Sequence, residues 1–312
     1  MQREVPLTVT QTIQTTQTTS PAAGLGPDAD CPAIAALNAD LHAHSTASDG
    51  TLSPEKVVAS AVGQGVELFS LTDHDTTSGI AEAREAARAK RLPFVCGVEV
   101  STTFAGKTIH VVGLGIDPED DALCRSLAAM RAGRVARARA MAEALAAAGH
   151  PDTLDEAVAL AGMPERVSRT HFARVLARRG LGTDVRAVFQ RYLAEGLPGY
   201  VKHAWAPLAD GVGWIRAAGG VAVLAHPARY RFDPTREWAL LEAFREAGGI
   251  AIEVCTSVHG PHEIAHYADL ARRLSLEASR GSDFHGPGVA QLLPGDVAPL
   301  PRGLVPVWHR FV

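Results

Sequence analysis

Asp40-Leu41-His42-Ala43-His44-Ser45, with Asp49 four residues on, and Thr72-Asp73-His74-Asp75 decide how this chain is read. Each string places imidazoles and carboxylates at the end of an apolar run. Residues two apart on a strand point to one face. His42 and His44 can therefore reach one metal ion together. Asp49 follows in a Ser/Asp/Gly turn that can fold back onto the same site.

Outward from these strings the chain repeats strand, loop and helix. Asn38–His44 reads as a strand. Ser53-Pro54-Glu55 then starts a helix, with a capping serine, proline at the first position and an acid in the first turn. Further strands are expected at Val66–Thr72, Phe94–Ser101, Lys107–Gly113, Val221–Ala225, Ile250–Cys255 and Leu276–Arg280. Helices fall between most of them. This alternation implies parallel βα units. Residues 117–200 break the rhythm: a long Ala/Arg-rich helix, open to interruption at Gly133, is followed by three shorter ones. The expected organisation is a disordered Thr/Gln-rich leader over 1–36 and a first barrel part over 37–116. A helical cap follows over 117–200, then a second barrel part over 201–290 and a Pro/Gly-rich tail over 291–312, ordered or loose.

Composition bounds the function. A chain of 312 residues, 46% hydrophobic, can bury the core of one α/β barrel. A net charge of −4 argues against a general nucleic-acid coat protein. Four scattered cysteines with no Cys-x-x-Cys pair suit a reducing cytosol, so the expected location is cytoplasmic. No apolar run approaches the roughly 18 residues of a membrane span. Aromatic residues make up 5%, too few for an extended base-stacking platform, and the tryptophans read as packing residues.

Polar residues recur at or near strand ends: His42, His44, Asp49, His74, Glu99, His110, His226, Asp283 and His285. In a βα barrel the strand C-termini share one face, where active sites are built. Glu99 and His110 fit that rule awkwardly, lying within or early in their strands. Burying so many ionisable groups in one cavity would be very costly without cations. The imidazole and carboxylate mixture favours Mn²⁺, Fe²⁺ or Zn²⁺ over a thiolate site. Nine candidate ligands exceed the needs of one ion and imply two or three. Clustered metals serve hydrolysis of phosphate esters.

Asp-Leu-His-Ala-His-Ser, Thr-Asp-His-Asp, Gly97-Val98-Glu99, His110, Ala225-His226-Pro227 and Gly281-Ser282-Asp283-Phe284-His285 resemble the motifs of the PHP (polymerase and histidinol phosphatase) superfamily. The resemblance spans about residues 38–290. It implies a distorted (β/α)7 TIM-like barrel and a trinuclear metal centre held by the nine residues above. Arg134-Val135-Ala136-Arg137-Ala138, Ser168-Arg169-Thr170-His171-Phe172-Ala173 and Gly199-Tyr200-Val201-Lys202-His203-Ala204-Trp205 resemble the branch of 3',5'-nucleoside bisphosphate phosphatases and 5'→3' exoribonucleases. The leader and Thr170 depart from that branch.

That branch implies release of the 3' phosphate of pAp-like nucleotides, usually with manganese, by in-line attack of a metal-bridging hydroxide, with trimming of short RNA from its 5' end. Ser168, Arg169, His171, Lys202 and His203, with Arg134 and Arg137, would bind a second phosphate. The leaving oxygen would be stabilised by a metal or protonated by a nearby acid, with His226 and Asp283 as the candidates. No protein partner is implied. Two other readings remain: a histidinol-phosphate phosphatase, against which the insertion motifs weigh, and a non-catalytic metal-binding module, against which the full ligand set weighs.

Overall fold

A computed structural model describes Ile34 and residues 36–312. The expectation of a disordered leader lies, but for Ile34 and residue 36, outside them. Seven strands run in the order β1 (Ala39–Asp40), β2 (Leu68–Leu71), β3 (Phe94–Phe104), β4 (Lys107–Leu114), β6 (Val221–Leu224), β7 (Ala251–Thr256) and β8 (Glu277–Gly281). A short β5 (Ala206–Pro207), which the sequence does not announce, pairs with β3. The residues after β1 close the ring. Leu41 N donates to Arg280 O at 3.1 Å, Asp283 N to His42 O at 2.8 Å, and His44 N to Phe284 O at 2.8 Å. Gly281 permits that approach, because a Cβ there would lie 2.3 Å from the His42 Cβ.

The ring is not wholly parallel as the βα rhythm implies. β4 is antiparallel to both β3 and β6. Ala105 and Gly106, both at positive φ, form the two-residue turn that reverses the chain between β3 and β4. This reversal explains the awkward Glu99 and His110. β3 runs well past the rim, so Glu99 sits mid-strand. β4 returns toward the barrel, so His110 meets the rim early. Ser101 pairs with His110 across the hairpin.

Helices α1 (Pro54–Gly63), α2 (Ile80–Ala89), α7 (Leu208–Ala217), α8 (Pro234–Glu246) and α9 (Pro261–Leu274) flank the sheet. Ser53 caps α1 through a bond from Lys56 N, with Pro54 at its start. The last residues are an ordered wrap. Pro306 bridges Ala278, and the fully buried Trp308 packs in the same apolar cluster as Leu41, Val112, Val223 and Ala251.

Residues 117–200 carry α3 (Asp121–Ala147), α4 (Thr153–Ala161), α5 (Arg169–Arg178), α6 (Val185–Val188) and a π turn at Phe189–Leu193, with no strand. α3 passes through Gly133 without interruption. Its buried residues are Leu123, Leu127, Met130, Arg134, Ala138, Met141 and Leu145, three or four apart, so they form one stripe. Leu123 and Leu127 join the main core, whereas Ala138, Met141 and Leu145 join a separate cluster with Phe172, Leu176 and Leu193. Arg134 lies between the two cores, in a stripe otherwise apolar.

Candidate metal centre and anion site

Nine side chains converge on one rim. Four overlapping groups could each hold an ion: His44, Asp49, His74 and His285; His42, Glu99 and His226; His42, His44 and Asp283; and His74, Glu99 and His110. Within each group the donor atoms lie within 4.8 Å of one another. Glu99 is the hub. Its oxygens lie 2.8 Å from His74 Nδ1 and His110 Nδ1, 3.0 Å from His226 Nε2, 3.3 Å from His44 Nε2 and 3.4 Å from His42 Nε2.

These contacts test whether the residues suit cations. His74 Nδ1 and His110 Nδ1 make no hydrogen bond despite the short approach to Glu99, and Glu99 Oε2, Asp49 Oδ1 and Asp283 Oδ1 are likewise buried without a partner. Lone pairs facing a common point give this pattern. Ligands about 2.1 Å from an ion stand roughly 3.0–3.4 Å apart along the edges of its polyhedron; the Glu99 contacts, 2.8–3.4 Å, lie in or just below that range. The donor set fits divalent metal ions.

Electrostatics agree. Burial opposes ionisation of Glu99, but His110, His74 and His42 outweigh it and hold the carboxylate well below its usual range. Burial also opposes ionisation of Asp49 and Asp283. His285 and His74 win at the first, Arg229 and His285 at the second. Adjacent imidazoles are driven apart. Burial and then His285 and His74 push His44 down to about 3, whereas Asp49 and Asp283 overcome burial and push His285 up to about 9. Burial and then Arg229 hold His226 well below its ordinary value. At neutral pH His226 is thus neutral and Asp283 ionised.

The two flanking aspartates of Thr-Asp-His-Asp join no donor group. Asp73 accepts from Ser45 N at 2.7 Å, Ser45 Oγ at 2.7 Å and Ser48 Oγ at 2.6 Å, which ties down the turn that presents Asp49. Asp75 accepts from Ser101 N at 2.7 Å and from Arg134 Nη2. Its carbonyl accepts from Arg131 Nη1 at 2.5 Å.

The helical segment brings cations to the same rim. Ser168 caps α5 and donates to Asp49 Oδ2 at 2.9 Å. His171 closes the capping box by accepting from Ser168 N through Nδ1 at 3.1 Å. Burial pushes His171 down to about 4, so it is a neutral donor through Nε2. The guanidinium carbons of Arg134 and Arg137 stand 4.8 and 5.4 Å from the centre of the Trp205 ring, and Arg169 lies 5.1 Å from that of Phe189. Arg134 has Asp75, but neither Arg137 nor Arg169 has a carboxylate partner among the described residues. Arg137 Nε is buried and unpaired. Burial, then Arg169 and Arg134, lower Arg137 to about 9. The His203 ring packs edge-on to Trp205 at 4.2 Å between centroids. Lys202 is not brought in. It is exposed, with its ammonium near the Gly106 turn. Trp205 packs as expected, yet beneath two site arginines.

Sequence reading missed Arg229 and Glu253. Arg229, three residues after His226, pairs with Asp283 Oδ2 while its side chain stays 42% exposed. Its position in His-Pro-x-Arg beside a candidate ligand was a usable signal. Glu253 lies inside an apolar strand and gave none. Its oxygens stand 2.7 Å from His42 Nδ1 and 2.6 Å from His226 N.

A barrel with clustered imidazoles and carboxylates at one rim, and guanidinium groups beside them, defines a metal-dependent hydrolase of phosphate esters. The chain belongs to the PHP family, whose domain matches residues 40–193. It is 47% identical over 274 residues to the 3',5'-nucleoside bisphosphate phosphatase of Chromobacterium violaceum, across 88% of this chain and 96% of the relative. It is 39% identical over 275 residues to a 5'-3' exoribonuclease of Haemophilus influenzae, across 87% of this chain and 98% of the relative. A solved structure of an amidohydrolase from C. violaceum, with bound sulfate and no metal, superposes with a TM-score of 0.85 at 46% identity, covering 88% of this chain and 95% of that one. Among the described residues no helix is long and apolar enough to cross a membrane.

Proposed function

We propose that this enzyme removes the 3' phosphate of nucleoside 3',5'-bisphosphates such as pAp, in the cytoplasm, and trims short RNA from its 5' end with the same site. The observation that carries the reading is the pair Arg137 and Arg169, cations without an internal anion, beside the candidate metal donors. Both are partly buried, and a cation withdrawn from water without a counter-charge is costly. A bound phosphate relieves that cost and adds charge-assisted, bidentate hydrogen bonds.

In this reading the 5' phosphate rests on Arg134, Arg137, Arg169 and Ser168, with His171 and His203 as neutral donors; Lys202, exposed near the Gly106 turn, has no role. His42, His44, Asp49, His74, Glu99, His110, His226, Asp283 and His285 would hold two or three divalent ions. Manganese suits the nitrogen and oxygen donors, as iron or zinc would. When bound, the ions supply an acidified water and neutralise the phosphoryl charge. The chain itself fixes the geometry. With the 5' phosphate anchored on the arginines, the phosphorus on O3' is the one delivered to the metal rim. Arg229 keeps donors free beyond Asp283 for a non-bridging oxygen. Water adds at phosphorus, the P–O3' bond breaks, and O3' leaves with a proton. His226 and Asp283 serve as ligands in this scheme, since neither holds an acidic proton at neutral pH.

The relatives' two activities then have one chemistry. In pAp the scissile phosphorus carries no further group. In a 5'-phosphorylated oligonucleotide it carries the next nucleoside, and the same cleavage releases a 5' mononucleotide and leaves a new 5' phosphate. Histidinol phosphate has one phosphate and would leave Arg137 and Arg169 unmatched. The test is a panel of pAp, AMP, histidinol phosphate and 5'-phosphorylated oligonucleotides with Mn²⁺. Turnover of pAp and the oligonucleotides above the single phosphates is expected; preference for histidinol phosphate would overturn the reading.

A further inference from the structure

We infer that Glu253 is a positioning residue, which fixes the ring of His42 and the backbone of His226 so that both present donor atoms to one ion. The inference rests on the metal reading above and names a residue outside the ligand set.

Glu253 is 1% exposed and sits on β7, in the run Ala251–Thr256 whose every residue is buried. A carboxylate there must have both oxygens satisfied. It has two different partners. Oε1 stands 2.7 Å from His42 Nδ1, and Oε2 accepts from His226 N at 2.6 Å. Glu253 belongs to none of the four donor groups, although His42 and His226 share one of them with Glu99. It touches the cluster only from behind.

Two consequences follow. With Nδ1–H of His42 directed at Glu253, the Nε2 lone pair is left for the cluster. Nε2 faces His44 Nε2 at 3.1 Å, Glu99 Oε1 at 3.4 Å and Asp283 Oδ1 at 3.5 Å. His226 has φ 28° and ψ 58°, immediately before Pro227. Proline disfavours helical values in the residue before it, and a non-glycine residue in this region needs outside support. The bond from His226 N to Glu253 supplies it, and the ring then reaches Glu99 Oε1 at 3.0 Å. One carboxylate thus sets two donors that arrive from different strands. No neutral isostere can do both, because an amide has one acceptor oxygen and its NH₂ would point at a second N–H.

The test compares wild type with Glu253→Gln and Glu253→Asp, counting bound ions by mass spectrometry after Mn²⁺ loading and titrating Mn²⁺ by electron paramagnetic resonance. Glu253→Gln is expected to weaken one ion by about 10- to 100-fold, in line with other partners of metal-bound histidines. Glu253→Asp, with both acceptors on a shorter arm, should fall between. Wild-type occupancy and affinity in both variants would overturn the inference. If Glu253→Gln fails to fold, Glu253→Asp decides alone by the same reading. A second readout needs no metal. Nitrogen-15 spectra of the metal-free protein should show His42 protonated at Nδ1 in wild type and altered in Glu253→Gln; His42 protonated only at Nε2 in wild type would overturn the inference. A wild type that binds no transition metal would sink the metal reading, and the imidazole spectra would then judge Glu253 by themselves.

Discussion

Replacing Arg169 with alanine should separate the proposed anion site from the metal centre. Arg169 opens α5, its guanidinium rests on Phe189, and burial lowers its pKa with no carboxylate in contact. Removing it strands no buried partner; losing a cation–π contact of about 0.5–2 kcal/mol is offset by relief of an unpaired cation, so folding should change little. Substrate loses more. A hydrogen bond to a charged group is worth about 1.5–3 kcal/mol, so kcat/KM for pAp should fall roughly 10- to 150-fold. The comparator is 3'-AMP, which keeps the scissile phosphate and lacks the 5' one. Its kcat/KM should change little, and metal content should stay at wild type. Steady-state phosphate release on both substrates measures the ratio. If Arg169→Ala keeps wild-type discrimination, or loses both substrates equally, the cation cluster does not hold the second phosphate.

Asp49→Ala or His74→Ala removes a donor from the four-residue group with His44 and His285; bound metal and rate should both fall, the rate by orders of magnitude, and a fully active variant would contradict the assignment. Asp75→Asn leaves the Arg134 guanidinium buried without its counter-charge, which should cost about 3–5 kcal/mol and show as a clear drop in melting temperature; wild-type melting would refute it. His171 is held at about 4 by burial against an ordinary 6.5. Above pH 6.5 it is neutral folded or unfolded and contributes nothing. As pH falls toward 4 only the unfolded chain gains the proton, so the native state loses about 3 kcal/mol. His171→Gln should therefore flatten part of the acid limb of a stability–pH profile, and an unchanged limb would remove His171 as its source.

The donors were legible because imidazoles and carboxylates at the ends of apolar runs are rare and costly. Ser53-Pro54-Glu55 announced α1 through local chemistry alone. The direction of β4 was written in Ala105-Gly106, yet a strand-and-helix rhythm is easily extended over a hairpin that has no helix. Asp75 flanks His74 in the quoted string, yet only the packed structure shows Arg134 meeting it from a helix 59 residues away. Arg134 itself was legible as part of a motif but not as a member of a buried stripe. Glu253 left no trace, because a carboxylate among apolar strand residues declares its partners only after β1, β6 and β7 come together.

The most direct measurement is the product formed from pAp by protein loaded with Mn²⁺ and by the same protein stripped with chelator. Loaded enzyme should yield AMP with its 5' phosphate intact, together with inorganic phosphate. Stripped enzyme should yield neither until metal returns. Adenosine 3'-phosphate as the product, or undiminished turnover without metal, would contradict the account.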